Sequence, residues 1–154
     1  MVEEAATDVI ALAQAQGIAA PWTDPSFIDS VAELQSRRQL QASRRTDEIQ
    51  FHDRSVICTA ALATYLRHPV PRRLSRELER VKAEAIYQKT VFFVQNLGFV
   101  TPTAARQISF EETLRFEKIH EETYCKVGFD LVFIEPGGLA DRVDAIKRVA
   151  QAIR

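Results

Sequence analysis

Asp53 and Arg54 stand side by side in Phe51-His52-Asp53-Arg54-Ser55, at the end of a short strand-like segment. A carboxylate beside a guanidinium at a strand end can hold Mg²⁺ through water. It can also accept a proton from a substrate hydroxyl, while the guanidinium clamps an oxyanion. Open parallel sheets bind their ligands at the carboxyl ends of the strands. The same rule selects the stretch after the apolar run Val91–Val94, which contains Arg106 in Thr101-Pro102-Thr103-Ala104-Ala105-Arg106. An arginine placed there, just before a capped helix, can close on phosphates as a lid. Each residue has a plainer reading as well: Asp53 as a helix N-cap, Arg54 and Arg106 as solvated surface cations. Spacing alone does not choose between them.

Other candidates are weaker. The pairs Arg37-Arg38, Arg44-Arg45 and Arg72-Arg73 are compensated by nearby acids and lack interleaved aromatics, so they read as solvated faces. The mixed charges from Glu111 to Glu122 read as a wet helix face. His52, His68 and His120 show no metal-ligand spacing. Cys58 and Cys125 make no zinc or redox pattern and suit a reducing cytoplasm, with Cys58 a packing residue inside a helix. Pro136-Gly137-Gly138 reads as a turn rather than a phosphate loop, and neither GxxxxGK[ST] nor GxGxxG occurs.

The elements that must position these residues alternate along the chain. Residues 4–16 carry Ala5, Val9, Leu12 and Ala13 at helical spacing, and Gly17 supplies a stop. Asp24 and Pro25 open a second helix, running to about Arg45 with Phe27, Val31 and Leu34 inward and its later turns polar. Residues 48–53 read as a short strand, 57–67 as a helix, and Leu74, Leu78, Val81 and Ala85 as one face of another. Thr90–Gln95 is a strand whose continuous apolar run predicts burial on both faces. Ser109 and Glu112 form a capping box for a helix ending at Gly128. Phe129–Ile134 is a further strand, and a last helix presents Val143, Ile146, Ala150 and Ile153 on one side. Strands alternating with helices predict parallel pairing and an α/β layer fold.

Composition sets the bounds. The 154 residues are 46% hydrophobic and 27% charged with a net charge of −1, which predicts one globular domain over residues 1–154. Balanced charge gives no electrostatic reason to expect nucleic acid or a membrane surface. No apolar run approaches the ~20 residues of a membrane span. The acidic start, Met1-Val2-Glu3-Glu4, predicts no cationic leader, hence a cytoplasmic protein.

The order of motifs resembles the AAA-type P-loop ATPase/kinase domain of the NadR kind. Val2-Glu3-Glu4-Ala5-Ala6 is similar to that family's segment after its second strand. Pro21-Trp22-Thr23-Asp24-Pro25 resembles its P-W-x-D-P loop, and Phe51-His52-Asp53-Arg54 its F-x-D-R strand end. Val91–Val94 corresponds to its fourth strand and Arg106 to a lid arginine. Tyr124 with Gly128–Val132 resembles the approach to its last strand, and Pro136 with Asp141-Arg142-Val143 resembles its tail. The resemblance implies ATP and Mg²⁺ as cofactors, with a nucleoside triphosphate and a phosphate acceptor as partners. It places Glu4 and Asp53 near the metal and the acceptor, with Asp53 the metal ligand. Arg54 becomes an acceptor or phosphate clamp, and Arg106 the lid cation that binds the nucleotide.

There are departures. The family's first strand and Walker A loop precede the segment matched at Val2, Cys58 stands where relatives commonly have Asp, and residues 49–52 alternate where a buried strand would be uniformly apolar. The expectation is therefore an incomplete, N-terminally truncated P-loop NTPase-like three-layer fold with about three parallel strands in this chain. Ladder groups left unpaired and buried would cost on the order of 1–3 kcal/mol each. Without the phosphate loop, turnover is expected to be negligible. The alternative is a non-catalytic domain that serves as an interaction module, pairing or self-associating through its exposed sheet.

Overall fold

A computed structural model of the protein describes residues 1–46, 49–99 and 108–153. The chain divides into two compact units, Met1–Tyr87 and Gln88–Arg154.

The first unit is helical: α1 (Ala6–Ala15), a 3₁₀ turn (Pro21–Thr23), α2 (Ser26–Ala42), α3 (Val56–Leu66) and α4 (Arg72–Ala83). Local chemistry marks the helix ends. Gly17 takes the left-handed conformation after α1, as the stop predicts. Asp24 accepts the Ser26 N–H at 2.7 Å, so it caps α2 although the helix begins two residues later. That bond holds the Asp24 carboxyl below its ordinary range. The Pro-Trp-Thr turn is held from afar, where His68 Nε2 meets the Trp22 carbonyl at 2.8 Å.

α2 is the hub of this unit and packs on α1, α3 and α4. Its apolar side buries Phe27 and Val31 as expected, with Ile28 and Ala32 beside them, while Leu34, also expected inward, is half-buried. Its later turns are mostly polar, as expected, yet Gln35, Ser36 and Gln39 are buried. Gln39 is held there by Arg80 of α4, whose guanidinium donates to its side-chain oxygen at 2.6 Å. In α1 the inward residue is Ile10, whereas Leu12 faces out.

The strand expected over residues 48–53 contracts to one parallel bridge, Val2 to His52. Val2 N donates to the Phe51 carbonyl at 2.7 Å, and Asp53 N donates to the Val2 carbonyl at 2.8 Å. Gln50 leaves the extended line to donate to the Ala42 carbonyl at 2.8 Å. Residues 47 and 48 lie outside the described residues.

The second unit is a β-α-β-α run: β1 (Thr90–Val94), α5 (Phe110–Val127), β2 (Asp130–Ile134) and α6 (Leu139–Ala152). β1 and β2 pair in parallel from Thr90–Asp130 to Val94–Ile134. The sheet among the described residues thus has two strands, not the expected three. The capping box forms as its residues predict: Ser109 Oγ accepts from Glu112 N at 3.1 Å and Glu112 returns the bond at 2.7 Å. Gly128 closes α5 in the left-handed conformation.

The burial expected of β1 does not appear. Its first four residues are half-buried and Val94 is exposed, because α5 and α6 pack on β2. On α6, Ala150 is buried while Val143 and Ile153 are exposed. Among the described residues no helix is long and apolar enough to cross a membrane.

Candidate functional site

The Val2–His52 bridge decides where the candidate residues meet. Both segments run the same way, so the residues just beyond the bridge leave from the same end. Glu4 follows Val2 by two residues, and Asp53 and Arg54 follow His52 directly. The short ladder therefore brings Glu4, Asp53 and Arg54 to one carboxyl edge.

Each is held differently. Glu4 is half-buried, and its carboxylate accepts a hydrogen bond from the Thr7 hydroxyl in the first turn of α1. The backbone beneath it is gripped by Arg38 of α2, which donates to the Glu3 and Glu4 carbonyls and pairs with Asp8. Arg38 thereby fixes the start of α1 against α2.

Asp53 is exposed, and its carboxylate has no hydrogen bond or ion pair within the described residues. The N-cap of α3 is Ser55, whose Oγ accepts from Ile57 N at 3.2 Å, so the capping role open to Asp53 belongs to its neighbour. An exposed, uncommitted carboxylate beside an arginine remains.

Arg54 adopts φ of +66°, the left-handed region that a residue with a Cβ enters at a cost of about 1–2 kcal/mol. Such strain persists where surrounding contacts over-determine it. One such contact is visible. Gln35, only 1% exposed, donates from Nε2 to the Arg54 carbonyl at 3.4 Å. Together with the Ser55 cap, it turns the chain sharply where the bridge ends.

His52 lies behind this edge, its ring meeting Tyr87 edge-on at 5.2 Å. Burial, with a contribution from the Met1 ammonium, pushes the His52 pKa below the ordinary histidine value. Burial pushes the Tyr87 hydroxyl up to about 12. Both groups are therefore neutral at pH 7.

Arg106 lies outside the described residues. Gln35 leaves no mark in the sequence, and Arg38, expected with Arg37 on a solvated face, is instead largely covered and bound to Glu3, Glu4 and Asp8. Their partners are 19 and 34 residues away, beyond any local pattern.

Magnesium is commonly held by one or two carboxylates plus waters and substrate phosphates. Asp53, exposed and uncommitted, fits that demand, whereas the Glu4 carboxylate is engaged by Thr7. Among the described residues no group of three or more His, Cys, Asp and Glu side chains could hold a metal by itself. His68 and His120 are bound to the carbonyls of Trp22 and Phe116.

A family model described as AAA domain matches residues 1–142. No curated protein and no solved structure matches the chain.

Proposed function

The chain belongs to the AAA-domain family of nucleotide-binding P-loop domains, and from that premise we propose that it carries the acceptor side of an ATP-dependent phosphotransferase or ATPase site of the NadR kind. One observation supports the reading most: the parallel Val2–His52 bridge sets Glu4 and Asp53-Arg54 at one carboxyl edge. Asp53 would hold magnesium through a water and would accept the proton of an acceptor hydroxyl. Arg54, on a left-handed backbone whose carbonyl Gln35 holds, would clamp the acceptor or its phosphate. Glu4 adds a second acidic group to the edge, and Arg106 supplies the lid cation. When bound, magnesium and nucleotide bring the phosphoryl group and neutralise charge that develops on it.

No GxxxxGK[ST] occurs in the 154 residues. The amides and lysine that cradle β- and γ-phosphates supply much of the affinity in P-loop proteins. These residues by themselves therefore bind Mg-ATP more weakly than micromolar and turn it over negligibly. The test is amide NMR with Mn²⁺ and ATP, Mn²⁺ acting as a paramagnetic stand-in for magnesium. Broadening centred on Glu4, Asp53 and Arg54, and lost in Asp53→Asn, is the expected result. Broadening centred elsewhere sinks the assignment, and micromolar affinity for Mg-ATP overturns the claim of weak binding.

A second reading, a non-catalytic module that self-associates through its sheet, draws on Val94 and Phe133, which are 52% and 44% exposed. The register sets Val94 opposite Ile134 and Phe133 opposite Phe93, so the two lie on opposite faces of the sheet, and the reading rests on Phe133 beside Phe93 on one of them.

A further inference from the structure

The outer edge of β2 has backbone groups without hydrogen-bond partners. Asp130 N donates to the Lys89 carbonyl at 2.9 Å, and Gln95 N donates to the Ile134 carbonyl at 3.0 Å. Along a strand, successive residues turn their N–H and C=O groups to opposite sides. Those two bonds and the register therefore turn Asp130, Val132 and Ile134 toward β1, and Leu131 and Phe133 away from it. α5 and α6 both pack on β2, yet among the described residues no hydrogen bond reaches the backbone of Leu131 or Phe133. Phe133 is also 44% exposed, and Leu131 is half-buried.

The chemistry of this edge decides what fits it. Outward amides and carbonyls repeating along an extended segment are matched by another strand. Leu131–Ile134 contains no charge, no proline and no bulge, the features that keep edge strands from pairing. The edge is also self-complementary. Turned about a two-fold axis at Val132, a second copy runs antiparallel and sets Leu131 of each chain opposite Phe133 of the other. Both residues face outward, so each such pair can exchange both of its N–H···O bonds. Asp130 then stands opposite Ile134, and Glu135 opposite Phe129, so no like charges face each other. Opposite residues share a face of the sheet, so the exposed Phe133 ring gains Leu131 of the other copy as a neighbour. A sheet of two strands is marginal in water, whereas three or more with an apolar face support one another. Pairing two copies doubles the strand number.

We propose that two copies of the chain join edge to edge through β2, antiparallel about Val132, into one continuous sheet. The proposal rests on the reading of the sheet as a self-association surface, and it names the edge and the register that perform the association. It does not depend on the phosphotransferase reading.

The test is sedimentation equilibrium of the whole chain, combined with amide hydrogen exchange read by NMR in dilute and concentrated solution. Mass should rise from one chain toward two. Over the same range the Leu131 and Phe133 amides should pass from rapid to slowed exchange, while those of Val132 and Ile134, bonded to β1, stay slow throughout. Phe133→Lys should abolish both the mass rise and the new protection, and slow exchange at Val132 and Ile134 shows that β1 and β2 still pair in that variant. Where the lysine disturbs that ladder, the exchange pattern of the unaltered chain decides by itself. A monomer at every concentration overturns both the pairing and the self-association reading. A dimer whose Leu131 and Phe133 amides still exchange rapidly overturns the pairing alone, because another surface then joins the copies. Slow exchange at both amides in the dilute monomer overturns it too, since the edge is then already covered.

Discussion

The residues before and after Tyr87 solve the problem of burial differently. In Met1–Tyr87 one helix, α2, is covered by α1, α3 and α4, and buries even glutamines because partners reach them. In Gln88–Arg154 the strands Thr-Val-Phe-Phe-Val and Asp-Leu-Val-Phe-Ile are the most apolar elements, yet only Ile134 among their residues is buried. The other buried positions described in that unit are His120, Tyr124 and Ala150. Apolar composition therefore does not measure burial. A two-stranded sheet gains independent stability only when further layers pack on it. Helices that surround a hub provide those layers within the first unit.

The largest expected effect follows from that contrast. Ile28 is fully buried at the hub, and Ile28→Ala should cost about 2–5 kcal/mol. Trp22, the single tryptophan, lies in the same unit and reports this as a lower urea midpoint in fluorescence. Phe133→Ala should cost only about 1–2 kcal/mol, read from hydrogen exchange of the β1 and β2 amides. Phe133 keeps an edge-on contact with Phe93 at 5.4 Å but is nearly half exposed. Equal losses at the two positions would erase the distinction between the units.

A smaller effect sharpens it. If the exposed faces of β1 and β2 serve self-association, sedimentation mass should rise with concentration, and Phe133→Lys should abolish the rise without lowering the Trp22 midpoint. A monomer at every concentration leaves that face without this role.

The smallest effect concerns His52. Its pKa is lowered in the folded state, so the unfolded chain binds the proton more readily. Stability is then complete above the ordinary histidine value of about 6.5 and declines as pH falls below it. The decline should appear in Trp22 fluorescence and flatten in His52→Gln. An unchanged slope in that variant would place the titration elsewhere.

Legibility followed range. The stops at Gly17 and Gly128, the capping box of Ser109 and Glu112, and the Asp24 cap were all readable because donor and acceptor lie within four residues. The site was half legible. Asp53 and Arg54 are conspicuous as a pair, but nothing local says that Ser55, and not Asp53, caps α3. The helical spacing of Ala5, Val9, Leu12 and Ala13 misses Ile10, the residue buried in α1, for a related reason. Helical periodicity defines a stripe, and the neighbouring helix decides which side of it is covered.

What the amino-acid order determined by itself was the kind and approximate bounds of nearly every helix and of the strands at Thr90–Val94 and Asp130–Ile134. Those depend on propensities and hydrogen bonds that close within a turn or two. Only the tertiary structure decided that Val2 pairs with His52, that Gln35 steadies Arg54, and that Arg38 is engaged by Glu3, Glu4 and Asp8. Each of the first two joins residues 19 or more positions apart, and Arg38 finds its partners about 30 or more positions away. Such contacts form only after packing has offset the entropy of closing the intervening chain.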